Sequence, residues 1–255
     1  MKKQMLAVVM GLSVFLGGCS AQSTDSMLQE VKKETKEIKS GKVKLETSIN
    51  SDRMSDGRGS GFTLEGDEKF NPTEIMLKGK FVVLGMNIDM ENYMKDGVYY
   101  TKNSYSGKPV WHKKEAPKDD ANGLNFKTIS LNMDNEVLGY LDNKDNWDLS
   151  VDGDMITFKL KKNDDIKNKL KELYKKKVNK NENYGDFDYN VEYVYDKKAK
   201  KVVKLFFETN AKQDTLEVRT KMKGTLEELN KEVKVDVPEE SKTATEMKVS
   251  TNESK

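Results

Sequence analysis

Polar and apolar residues alternate with a period of two along most of this chain, which predicts β-strands with one dry and one wet face. Val43, Leu45, Thr47 and Ile49 alternate with Lys44, Glu46 and Ser48; Phe62 and Leu64 with Thr63 and Glu65; Ile75, Leu77, Gly79 and Phe81 with Met76, Lys78 and Lys80. Leu84, Met86, Ile88 and Met90 then alternate with Gly85, Asn87, Asp89 and Glu91, and Asp96-Gly97 offers a two-residue turn into Val98, Tyr99 and Tyr100. Ser106-Gly107 turns the chain again towards Val110, Trp111, His112 and Lys113, so the first half reads as hairpins in series. In the second half Trp147, Leu149 and Val151, a turn at Asp152-Gly153, and Ile156, Phe158 and Leu160 form the clearest hairpin signal. Three more strands carry Val191, Tyr193 and Tyr195; Val203, Leu205 and Phe207; and Leu216, Val218, Thr220 and Met222.

Three segments follow the helical period instead. Ser26 with Gln29 resembles a capping box, and Leu28, Val31, Thr35 and Ile38 fit one face of a helix over residues 26–40, which Gly41 stops. Ile129, Met133, Val137, Tyr140 and Leu141 predict a second helix over residues 127–141, weakened by Gly139. Asn163 ahead of Asp164 and Asp165, with Ile166, Leu170, Leu173, Tyr174 and Val178 and a run of lysines at the end, predicts a capped and dipole-matched third helix. Past Pro238 no period remains, and residues 238–255 are expected to be a polar disordered tail. No Pro-, Gly- or Ser-rich break divides the rest, so a single domain over residues 26–237 is expected. Tight turns make its sheet antiparallel, and a sheet this long must curl. The expected fold class is α+β: a strongly curved antiparallel half-barrel with helices over its concave face.

Residues 1–18 carry a different pattern: Lys2 and Lys3, an apolar run from Met5 to Leu16, then small residues before Cys19, the layout of an export signal. The run holds about a dozen residues against the roughly 20 that a spanning helix needs. Leu16-Gly17-Gly18-Cys19 resembles the bacterial lipobox, in which small residues admit the peptidase and the thiol takes a diacylglyceryl group. Two chains anchor stably where one holds only marginally, at about 0.8 kcal/mol per buried methylene. The pattern therefore predicts a protein tethered at the extracytoplasmic face of the cell membrane through lipidated Cys19, with residues 19–25 as a short leash.

Composition narrows the function classes. The chain has 255 residues, with 45 Lys and Arg against 43 Asp and Glu, and loss of Lys2 and Lys3 with the signal levels that balance. A neutral sum argues against nucleic acid as a partner. One Cys and one His exclude a disulfide framework and a Cys/His zinc site, and no cofactor or metal is expected. His112 has no nameable general-base partner, and Ser60 in Gly59-Ser60-Gly61 lies beside a strand and not at a strand-to-helix elbow, so no enzyme is expected. The acidic clusters at residues 142–148 and 186–188 miss calcium-loop spacing, with Lys144 where an oxygen ligand is required; turn chemistry is the better account, and weak calcium binding stays open. The lysines at residues 175–177 and 197–201 suit either anionic headgroups or a solvated helix end and turn. Tyr93, Tyr99, Tyr100, Tyr105 and Trp111 suit either a recognition surface or cross-strand pairing.

The order of lipobox, leash, opening helix, long meander, central helical insertion and closing strands resembles bacterial lipoproteins of the LolA/LppX/LprG-like superfamily, in particular an uncharacterised Gram-positive branch. The local match is Tyr93, Asp96-Gly97, Tyr99-Tyr100, then Trp111 with Lys113, and Pro238 closing the domain. That resemblance implies a half-barrel whose concave apolar face, lidded by helices, takes up acyl chains. Leu84, Met86, Ile88, Met90, Leu205, Phe207 and Met222 can line such a face, and Met suits adaptable apolar surfaces; the alternative is that they fill the core. Two functions stand side by side: a non-enzymatic carrier or receptor for a lipid or other amphiphile in the envelope, and a protein-interaction lipoprotein, such as a sensor accessory or assembly factor, with a solidly packed core.

Overall fold

The computed structural model describes residues 22–51, 59–83, 85–104, 107–116, 125–178, 182–215 and 217–246. Cys19, Leu84, Tyr105, Ser106 and Leu216 lie outside the described residues. Helix α1 (Thr24–Lys36) leads into a meander of six strands: β1 (Ser40–Ser51), β2 (Ser60–Phe70), β3 (Thr73–Val83), β4 (Met86–Lys95), β5 (Val98–Asn103) and β6 (Val110–Glu115). Two short helices follow, α2 (Phe126–Ile129) and α3 (Asn135–Tyr140), then the hairpin β7 (Trp147–Asp152) and β8 (Met155–Leu160). Helix α4 (Asp164–Val178) precedes β9 (Tyr184–Asp196), β10 (Lys201–Gln213) and β11 (Val218–Glu227), and the two-residue β12 (Thr245–Glu246) comes last.

All twelve described strands form one sheet in the order β12-β6-β5-β4-β3-β2-β1-β11-β10-β9-β8-β7. The two halves of the chain therefore meet at a seam, where β1 pairs antiparallel with β11 from Lys42 opposite Glu227 to Ser51 opposite Val218. Every ladder is antiparallel except β12 on β6. The architecture is the expected α+β one, an open curved sheet with few helices. Asp96 and Gly97 both adopt left-handed backbone, at φ 51° and 75°, so the β4–β5 turn matches the twist of its strands as that dipeptide predicts.

The boundaries differ from expectation where tertiary hydrogen bonds outbid local periodicity. The cap of α1 is Ser23, whose side chain accepts from the Ser26 N–H at 3.2 Å, so Ser26 lies inside the helix. The helix stops at Lys36 because the backbone of Lys39 and the hydroxyl of Ser40 are claimed by Asn230 and Lys231 at 2.7 Å each. The expected helix over residues 127–141 is two helices. Asn125 and Asp134 each cap a new start, and between them Asn132 is held by β9, donating to the Glu192 carbonyl at 3.0 Å and accepting from the Tyr193 hydroxyl at 2.5 Å. The turn between β7 and β8 is Gly153-Asp154, one residue later than the sequence suggests, since Asp152 pairs with Met155.

A larger correction concerns the C-terminal end. The expected tail begins too early: Pro238 precedes a 3-10 turn at Glu239–Thr243, and β12 then pairs with His112 and Lys113 of β6. Val235 and Ala244 of this segment are buried with Tyr93 and Trp111, and Val233, Val237, Met76 and Tyr100 pack around them. The reason is apolar: Tyr93 and Trp111 stand on the outer face of the sheet, ring centroids 5.9 Å apart, and need a cover. Lys95 fixes that cover by donating to the Val235 carbonyl at 2.7 Å. The aromatic residues of this region therefore form no common recognition surface, because Tyr99 packs against the main core on the opposite face.

Beside that cluster Glu91 shows how the outer face is held. Burial alone would raise its carboxyl pKa, but hydrogen bonds from Lys102, Tyr93 and Lys78 outweigh it and hold the value down from 4.5 to about 2. The group is ionised in the folded state through a range where the unfolded chain has begun to bind a proton, so its stabilisation is full above about 4.5 and is lost as pH falls towards about 2. Glu91→Gln should cost about 1–2 kcal/mol at neutral pH, after allowance for partial exposure. Urea titrations across that acid range should show a flatter pH dependence for the variant; parallel curves would refute the assignment.

Candidate functional site

Strand register decides which side chains share a face. Ile88, Phe81, Phe62, Thr47, Met222 and Thr209 lie side by side across β4, β3, β2, β1, β11 and β10. The next row inward holds Met90, Gly79, Leu64, Leu45, Gly224 and Phe207, and the row beyond it brings Leu77, Val43, Leu226 and Leu205 together. The six described residues of the expected apolar face (Met86, Ile88, Met90, Leu205, Phe207 and Met222) therefore share one side of the sheet, and that side carries the core.

The helices cover this inner face unevenly. Leu28 and Val31 of α1, Phe126 of α2, and Ile166 and Leu170 of α4 are buried in the same cluster as Leu205 and Phe207, both 0% exposed. Phe126 meets Phe207 edge-on at 5.6 Å between centroids, and its N–H donates to the buried Glu68 carboxylate at 2.8 Å. Leu205 and Phe207 are thus packed by helices. Met90 and Met222 are partly buried against that core, Ile88 is 9% exposed, and Met86 is 51% exposed at the end of β4. Ile49, in β1, is 40% exposed at the same end of the sheet. The apolar surface therefore runs along β4 from the packed core to an open rim.

Polar atoms are scattered within it. The hydroxyls of Thr47 and Thr209, on either side of Met222, are buried and make no hydrogen bond among the described residues; nor does that of Tyr174, whose pKa burial drives well above the usual tyrosine range. Sequence reading did not single out these threonines, and only the register, which sets them beside Met222, could have. Two clefts lie elsewhere. One of about 280 Å³ on the outer face is lined by Lys42, Lys44, Glu46, Glu65, Lys223 and Glu227, and one of about 670 Å³ between α3 and α4 by Asp134, Glu136, Lys169, Glu172, Leu173 and Lys176. Both are walled by charge of both signs, which suits neither to an acyl chain.

The remaining sequence signals resolve into local structure. Asp142 takes Lys32 at 2.5 Å, Asp186 takes Arg219 at 3.1 Å and Asp188 takes Lys162 at 2.7 Å, so each acidic cluster engages cations of this chain. No group of three or more His, Cys, Asp or Glu able to hold a metal occurs among the described residues. Lys177 closes α4 onto the Thr128 carbonyl at 2.9 Å, and Lys197 donates to the Gly153 carbonyl at 2.8 Å. No helix among the described residues is long and apolar enough to cross a membrane.

An open curved antiparallel sheet with one helix-covered apolar face defines the class of this protein. The chain belongs to a family of unknown function, DUF6612, whose sequence profile matches residues 23–246. No curated protein matches it. Among solved structures it is similar to the Mycobacterium tuberculosis lipoprotein LppX, at 12% identity and a TM-score of 0.41, over 84% of this chain and 98% of that one. It is also similar to a DUF1329 family protein from Desulfovibrio piger, at 12% identity and a TM-score of 0.23, over 82% of this chain and 93% of that one.

Proposed function

We propose that this protein is a lipoprotein of the Gram-positive type, held at the extracytoplasmic face of the cell membrane by diacylglyceryl-Cys19, and that it binds an amphiphile on the inner face of its sheet without catalysing a reaction. The observation that carries the binding half is the apolar face that passes from the packed core at Leu205 and Phe207 to the open rim at Met86 and Ile49. An acyl chain laid along Met86, Ile88 and Met90 replaces water over apolar surface, at about 25 cal/mol per Å². The anchoring half rests on Leu16-Gly17-Gly18-Cys19.

A second reading has its own observation. Leu205 and Phe207 are fully buried, Phe207 edge-on to Phe126, as in a protein-interaction lipoprotein whose core is simply packed. Detergent-free protein titrated with a polarity-sensitive fluorescent fatty acid separates the two. Binding by wild type and its loss in Ile88→Trp, with the urea midpoint nearly unchanged, is the expected result. No binding by wild type, with a loss of roughly 1–3 kcal/mol in the variant from overpacking, would put the packed-core reading first. Anchoring is tested separately: Cys19→Ser should abolish incorporation of radioactive fatty acid and release the protein from membranes.

A further inference from the structure

On the β7–β8 hairpin, apolar side chains of the inner face stand open beside the first described residues, from Gln22 onward. Val151 is 57% exposed and Leu149 42%, although both sit opposite buried partners, Ile156 and Phe158. They are left bare because β7 is the edge strand of the sheet, with no strand beyond it. Met155, on the other face of the same hairpin, is 38% exposed.

The position of Gln22, the first described residue, gives this patch a partner. The Gln22 side chain lies 3.5 Å from the Tyr195 hydroxyl; Tyr195 pairs with Ile156, and Ile156 with Val151. Val151 is thus two strand spacings, or about 10 Å, from the strand that Gln22 touches. Asp25 at the start of α1 reaches Lys144, just ahead of β7, at 3.6 Å. Only three peptide steps separate Gln22 from Cys19, a reach of at most about 11 Å however the segment is arranged. A lipid on Cys19 therefore enters the bilayer at this corner of the molecule.

We infer that the β7–β8 hairpin rests on the same bilayer that holds Cys19, with Leu149, Val151 and Met155 at the level of the headgroups and upper acyl chains; the inference rests on the lipid anchor proposed above. The acids around the tip keep the contact shallow. Asp154 is paired with Lys197 at 3.8 Å, and Asp196 accepts from the N–H groups of Lys198 and Ala199 at 2.9 and 2.8 Å. Acids and lysines are interspersed here, so apolar contact, and not attraction to anionic lipid, supplies the attachment.

The test uses the lipidated full-length protein in vesicles of phosphatidylcholine and phosphatidylglycerol. Because the chain has one Cys and its thiol is consumed by the lipid, Val151→Cys provides a single labelling site for a polarity-sensitive fluorophore. Val178→Cys, 49% exposed at the end of α4, whose Tyr174 meets Tyr184 at the end of β9 far from Tyr195, is the comparison. The expected result is a several-fold rise in emission on vesicles at position 151, quenched by lipids spin-labelled near the headgroup, with no change at position 178. Intact mass showing no lipid would overturn the anchor and this inference with it. Full lipidation with a fluorophore as dim at position 151 as in solution would overturn the hairpin contact alone. An emission rise without vesicles that grows with protein concentration would assign the patch to a second copy of the chain and overturn the membrane contact.

Discussion

Phe207→Ala is expected to lower the folding free energy by about 3–5 kcal/mol, the range for removing a large, fully buried aromatic side chain. The ring is 0% exposed, lies edge-on to Phe126, and occupies the space over Gly224 on the neighbouring strand, where an added Cβ would strike it. The cavity has little means of collapsing, because β9 and β11 fix the backbone on both sides through long ladders. Met86→Ala, at the open rim of the same face, should stay within about 0.5 kcal/mol. Urea midpoints of the two variants test whether the inner face is packed at one end and open at the other. Equal losses would mean that it has no such gradient.

Val235→Asp should be nearly as damaging, at about 3 kcal/mol or more, for a different reason. Val235 is 0% exposed between the sheet and its C-terminal cover, so the carboxylate would be desolvated against Tyr93 and Trp111, and the one cation that touches this residue, Lys95, is already engaged by the Val235 carbonyl. The variant should escape the cost by detaching residues 233–246 from the outer face. Trp111 emission should shift red and a protease should cut within that segment while the inner-face core stays folded. If Trp111 keeps its native emission, the segment is not the cover described above.

How much of this was legible in the sequence depends on which interaction fixed each element. Strands whose two faces meet different surroundings announced themselves: Val43, Leu45 and Thr47 could only be a strand, and Asp96-Gly97 could only turn one. Side-chain parity also put Met86, Ile88 and Met90 on one face. Their depth was not readable, because it is decided by helices far away in sequence, such as α2 over Phe207. Register was equally hidden, and with it the pairing of Thr47 and Thr209 around Met222. The alternation of Val233, Val235 and Val237 was visible but short, and Pro238 drew attention to an end that the fold does not make there. Tyr99 and Tyr100 were one period-two step from being sorted to opposite faces.

The seam between β1 and β11 also constrains when this protein can fold. β1 forms its second ladder with residues 167 to 185 positions further along the chain, from Val218 opposite Ser51 to Glu227 opposite Lys42. On the export route that the proposed anchor implies, a polypeptide emerging N-terminus first would leave one side of β1 unpaired until nearly all of it had crossed. Such distant pairings close late and slowly, and an unpaired edge invites wrong partners in the interval. On that route the first meander could assemble during translocation, whereas the finished sheet would be a post-translocational product. Its yield should depend on how the emerging chain is shielded on the far side of the membrane.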